Sequence, residues 1–172
     1  MDREQYFLPG IIILVVVLVL VIAIAFSGNN TFNMGTVSFE YSNGWSQEQV
    51  IGNFSSNSLY SSVTLTSNFA DANGQNQPAY IIVEMQQKAT GTLNLPTTNT
   101  IPMNTTNSST TSVTVDNITA SQVGNLGTNM ASKYTIIDKN NYYYVLTFIC
   151  PAYAVNQTQT AYNTILTSLN LS

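Results

Sequence analysis

The chain is 172 residues long and carries four Lys and Arg, eight Asp and Glu and no His, for a net charge of −4. Without a basic cluster it has no electrostatic grip on phosphate backbones, which excludes nucleic acid as a partner. The lack of His also removes the usual general base and the Cys/His spacings that hold zinc.

Residues 1–6 are a short tail holding Asp2, Arg3 and Glu4. Residues 7–26 follow without a charge, and from Ile11 onward every one of them is Ile, Leu, Val, Ala or Phe. Twenty residues of helix rise about 30 Å, the thickness of a bilayer's hydrocarbon core, so a transmembrane helix held by membrane lipid is expected at 7–26. Ala23-Ile24-Ala25 has the small-x-small form of a signal-peptidase site, which would free a secreted domain beginning at Phe26. The segment is longer than the roughly 7–15 apolar residues of a signal peptide and lacks a positive flank, so retention as a signal anchor is favoured. Arg3 precedes the segment and the next cation is Lys88. The positive-inside rule therefore puts the N-terminus in the cytoplasm and the C-terminal domain outside the cell.

Residues 27–35 serve as linker or first strand, and residues 36–172 make one domain with a core of its own. TVSFEY alternates, with Val37, Phe39 and Tyr41 on one face. SNGW then turns, Asn43-Gly44 supplying the left-handed backbone. SSVTLTSNF and AYIIVEMQQ read as a long antiparallel pair, with Ile81, Val83 and Met85 on the apolar face. Residues 90–112, rich in Thr and Asn with Pro96 and Pro102 and no charge, read as a long surface loop. SVTVDN and TASQVGN form a hairpin about Asp116-Asn117, and ASKYTIID and NYYYVLTFIC form another about KNN. The last strand is apolar on both faces and should lie centrally, covered on each side. Val155, Thr158, Tyr162, Ile165, Leu166 and Leu169 recur at helical spacing, predicting a terminal amphipathic helix packed on the sheet and hence an α+β domain.

VSFEYSNGW, the pair around VTLTSN and YIIVEMQQ, the hairpin VDNITASQV, the strand YYYVLTFIC and the closing ILTSLNL together resemble the PsbP/Mog1 family over most of residues 36–171. With its N-terminal apolar segment and Asn/Thr-rich surface the chain resembles the family's membrane-anchored archaeal type, frequent in methanogens. The resemblance implies an antiparallel sheet flanked by helices, in a family used for binding, assembly and scaffolding rather than turnover. The Pro common after the strand Tyr is Ser42 here, and segment 90–112 stands where relatives place a helix between the central strands. Metal or photosystem roles of plant relatives find no matching residues, and no cofactor is implied.

Candidate sites are sparse. Sequons begin at Asn29, Asn53, Asn104, Asn107, Asn117, Asn156 and Asn170, all on the side expected outside, where N-glycosylation would solvate the surface. Asp71, Asn73 and Gln75 mimic the start of a Ca²⁺ loop, but Ile82 stands where the bidentate Glu belongs, and an Asn-Gly turn accounts for the stretch. Glu40 and Glu84 lie in strands as a conceivable carboxylate pair, with outward-facing polar positions the blander explanation. Trp45, Tyr142, Tyr143 and Tyr144 suit contact with a ligand, glycan or protein, although aromatic residues more often fill small sheet cores. Cys150 has no partner for a disulfide and reads as a buried small hydrophobe. The expectation is a membrane-anchored, surface-exposed, non-enzymatic binding or scaffolding domain of the cell envelope that contacts other envelope proteins or glycans. A pilin-like filament subunit is the alternative: Gly10 sits at a prepilin-like cleavage position, but Val15 replaces the Glu expected five residues on.

Overall fold

The structure, a computed structural model, describes residues 28–88 and 108–172. The segment 7–26, most of the loop 90–112, and Asn104 and Asn107 lie outside the described residues. Among the described residues no helix is long and apolar enough to cross a membrane.

The strands are β1 (Asn29–Met34), β2 (Val37–Ser42), β3 (Ser46–Ile51), β4 (Tyr60–Ala70), β5 (Asn76–Gln87), β6 (Ser108–Val115), β7 (Ile118–Leu126), β8 (Met130–Lys139), β9 (Tyr142–Pro151) and β10 (Asn170–Leu171). One helix, α1 (Val155–Ser168), follows a 3-10 turn at Ala152–Ala154. Seven strands form one sheet in the order β3-β4-β5-β9-β8-β7-β6, and β1-β2-β10 form a second, with antiparallel pairing throughout.

The expected alternation sorts the faces. Ile81, Val83 and Met85 of β5 are buried, as are Tyr144, Leu146, Phe148 and Cys150 of the central strand β9. Against this face pack α1, through Thr158, Ala161, Tyr162 and Ile165, and the small sheet, through Val37 and Phe39. Both extra layers sit on the same side, so helices flanking the sheet reduce here to one described helix on one face. On the other face of β9, Val145 and Thr147 are buried between Ile82 of β5 and Ile136 and Tyr134 of β8, while Tyr143 and Ile149 are half-buried.

Three elements depart from the sequence expectation. β3 was not expected, because SQEQVI has no apolar alternation; it is a mostly exposed edge strand with an irregular register at Glu48. β6 starts at Ser108, inside the segment read as loop 90–112, because its Ser and Thr residues pair along β7 without needing an apolar face. The chain also leaves helical conformation after Ser168, and Asn170 and Leu171 pair with Ser38 and Val37 of β2.

The register defines two ends of the large sheet. Ser46, Thr66, Tyr80, Ile149, Ser132, Asn125 and Ser108 form one continuous row. Beyond it lie the β4–β5 turn, the β7–β8 turn and the 3-10 turn. Asn29 pairs with Ser42, four residues before Ser46, so the domain begins at this same end. The opposite end holds the turns at Asp116-Asn117 and Asn140-Asn141.

The two sheets are knotted together at Phe54. Its carbonyl accepts from the Thr36 N–H at 2.8 Å and from Thr36 Oγ1 at 2.9 Å, while its own N–H donates to Ser61 Oγ at 3.0 Å. Gly35 turns beneath this knot with φ +59°, and a Cβ there would overlap the Phe54 carbonyl. Gly74 has a similar φ of +79° but open space around it. Gly74→Ala is therefore expected to cost about 1 kcal/mol, the backbone term alone, and Gly35→Ala about 3 kcal/mol or more because steric overlap is added. Urea midpoints of the two full-length variants measure the difference; equal losses would refute the knot.

Candidate functional site: a lysine-bearing cavity beneath the helix

β8 places Ala131, Lys133, Thr135, Ile137 and Lys139 on one face, the face covered by α1. Lys133 thus carries a charge into this phase between Ala131 and Thr135, while the other cation of the phase, Lys139, stands at the strand end paired with Asp116. Its Nζ donates to Gln159 Oε1 at 3.0 Å and stands 5.4 Å from the centre of the Tyr162 ring. No carboxylate pairs with it among the described residues. Burial lowers its pKa from the ordinary lysine value.

An open cavity of about 190 Å³ lies beside this ammonium. Gly124 and Ala131 line it from the sheet, and Leu126, Phe148 and Val155 supply apolar walls. Asn125 also lines it and holds a buried Oδ1 with no hydrogen-bond partner among the described residues. Chemically, this is a place for a small anionic group that also carries a donor and an apolar portion: one cation, the unfilled Asn125 acceptor and greasy walls. A more polar groove, lined by Asp71, Gln77, Asn129 and Tyr153, lies at the same end of the sheet.

A polar network ties the helix to the sheet next to the cavity. The Tyr162 and Thr135 hydroxyls hydrogen-bond, Gln122 Nε2 donates to Thr135 Oγ1 at 2.8 Å, and the Tyr162 ring packs 5.4 Å from Phe148. Burial pushes the Tyr162 pKa up to about 12.

The residues singled out in the sequence are scattered. Trp45 is 5% exposed and packs on Phe69, at the end of the sheet where the domain begins. Tyr142 and Tyr144 are buried toward the other end, where the Tyr142 hydroxyl donates to the Ser56 carbonyl. Tyr143 points to the opposite face, beneath Lys88 at 5.0 Å. No common pocket gathers these aromatics. Glu40 lies in the small sheet and accepts from Asn29 Nδ2 at 2.9 Å; Glu84 lies in the large sheet and accepts from the Tyr60 hydroxyl at 2.6 Å. They share no sheet. Asp71 Oδ1 accepts from the N–H groups of Asn73 and Gln75 at 2.8 and 2.9 Å, closing the β4–β5 turn on itself. The sequon residues Asn29, Asn53, Asn117, Asn156 and Asn170 are all exposed. Cys150 is fully buried, and burial pushes its thiol pKa up.

Sequence reasoning missed Lys133. The signal was present: in ASKYTIID the lysine falls in register with Ala131 and Ile137, on the face destined for the core.

No protein-family model matches the sequence, and no curated protein matches it. Solved structures do match. Cyanobacterial PsbP (CyanoP) from Synechocystis sp. PCC 6803 superposes with a TM-score of 0.51 at 9% identity, covering 85% of this chain and 94% of that one. LpqN, involved in cell envelope biogenesis of Mycobacterium tuberculosis, gives 0.49 at 16% identity, covering 84% and 91%. The fold is thus PsbP/Mog1-like, as the sequence resemblance implied; at this identity the likeness is one of fold.

The raised Tyr162 pKa makes stability depend on alkaline pH. The unfolded chain loses this proton near pH 10, while the folded chain holds it to about 12. Stability is therefore whole below pH 10 and falls as pH rises toward 12, by about 2–3 kcal/mol across the window. Tyr60 and Tyr144, also raised by burial, add to the decline. Lys133, being lowered, acts with the opposite sign, adding stability as pH rises through the window beneath the ordinary lysine value. Tyr162→Phe is expected to lose about 1 kcal/mol at neutral pH and to flatten, without abolishing, the alkaline decline in urea midpoints.

Proposed function

We propose that the chain is a single-pass protein of the cell envelope, with its N-terminus in the cytoplasm and residues 28–172 forming an extracellular, non-enzymatic binding domain. The observation that carries this reading is the junction: the uncharged segment 7–26 ends at Phe26, and only Ser27 and Gly28 separate it from β1. Three further facts support it. The described sequons are exposed and open to glycans. The domain's low charge leaves solubility to Asn, Ser and Thr. The Lys133 cavity sets an ammonium beside apolar walls, a combination suited to binding. Its partners on this reading are membrane lipid through residues 7–26 and other envelope proteins or glycans through the domain.

Fractionation and N-terminal mass spectrometry of the native chain test the proposal together. The chain should resist alkaline extraction from membranes, begin at Met1, and lose its C-terminal portion when protease is added to intact cells. A start at Ile11 would instead mark a filament subunit and a start at Phe26 a released domain. Either result, or protection from external protease, overturns the anchor.

A further inference from the structure

We infer that the end of the domain bearing the Lys133 cavity rests on the bilayer, and that the cavity takes the anionic headgroup of a membrane lipid there. The inference rests on the membrane tether proposed above and adds an orientation and a ligand class to it.

Large apolar side chains are exposed at both ends of the large sheet. Ile51, Leu59 and Tyr60 lie at one end; Leu126, Met130 and Tyr153, at 56%, 43% and 45% exposure, lie at the other. Exposure alone does not choose between them. The tether does. Three peptide units from Phe26 to Asn29 reach about 11 Å even when fully extended. Asn29 pairs with Ser42 beside the start of β3, so the chain enters the domain at the Leu126 end. Met130 lies four strand spacings sideways from β3 and Leu126 five, roughly 20 and 24 Å. The end bearing Leu59 is separated from the tether by the length of the strands and faces away.

The chemistry at the near end fits a lipid surface. Leu126 belongs both to the exposed apolar set and to the cavity wall, so the cavity opens where that set would meet lipid. Inside it stands an ammonium with no carboxylate partner among the described residues. A phosphate or carboxylate headgroup supplies the missing charge while its acyl or isoprenoid part meets Leu126, Phe148 and Val155. Asp71, in the groove with Tyr153, sets a negative charge at the same end, so attraction depends on Lys133 rather than on the net charge of the surface.

The test uses the full-length chain in nanodiscs, with the photo-crosslinker p-benzoylphenylalanine placed at Leu126, at Met130 or at Leu59. Lipid adducts are expected at Leu126 and Met130, several-fold above those at Leu59. Lys133→Gln should lower the Leu126 adducts in discs containing phosphatidylglycerol and leave them unchanged in pure phosphatidylcholine. Equal adducts at Leu59 and Leu126, or none at Leu126 in a chain that resists alkaline extraction, overturn the orientation while the tether stands. Loss of the Lys133→Gln effect overturns the headgroup site. Release of the chain by alkaline extraction overturns the tether itself, and the orientation with it.

Discussion

The seating of Tyr162 on the large sheet is the contact on which both the fold and the cavity depend. α1 has no charged residue in its first or last turn and no side-chain cap, so little of its stability is local. It is held by tertiary packing: Tyr162 is buried against Phe148 of β9 and Thr135 of β8, Ala161 and Ile165 are buried in the same core, and Thr158 returns its hydroxyl to the Ala154 carbonyl at 2.9 Å. The Tyr162 hydroxyl then needs a buried partner, which Thr135 provides and Gln122 braces. This small network fixes the helix's rotation and its height over the sheet. It also sets the distance between Val155 and Gly124, and so the space in which Lys133 stands.

The small sheet solves a different problem. A seven-stranded sheet with one short helix leaves much of its apolar face uncovered, and Val37, Phe39 and Phe32 fill the remainder, with Phe32 stacked on Phe39 at 4.9 Å. β10 completes this layer from the far end of the chain. Its position is fixed by charge: Asp116 Oδ2 receives the Lys139 ammonium at 2.7 Å and the Leu171 N–H at 3.3 Å. One carboxylate at a turn thereby ties together two hairpins and the C-terminus.

Where the sequence spoke through periodicity, the fold was legible. β4, β5, β8 and β9 announce themselves by alternating apolar residues, and the turn at Asp116-Asn117 is confirmed by φ values of +48° and +61°. α1 is equally plain from its three-and-four spacing. What could not be read lacks an apolar signal. β3 and the Ser/Thr start of β6 are edge segments shaped by the neighbour they pair with, whereas the Val113–Val115 end of β6 was legible in SVTVDN, and β10 is too short to show a period. The aromatic residues misled for a related reason: a Tyr in a strand reads the same whether its ring is covered or open, and only the added layers decide. Lys133 is the reverse case. Its meaning lay in its phase, but a single cation on a strand is usually solvated, and recognising this one required knowing that α1 lies over that face.

Charge use in the domain sharpens that point. Its lysines are Lys88, Lys133 and Lys139. Lys88 pairs with Asp138 and donates to the Asn140 carbonyl at 2.8 Å, bracing the β8–β9 turn. Lys139 pairs with Asp116 and anchors the C-terminus. Both therefore hold turns closed. Lys133 closes nothing: it bonds a glutamine, faces a ring, and stands where burial disfavours its charge. A leucine in its place would fill the same stem volume against Phe148 without desolvating an ammonium. Stability alone therefore argues against a lysine at this position, so its placement is physically unexplained by the fold and is the ground for the ligand site proposed above.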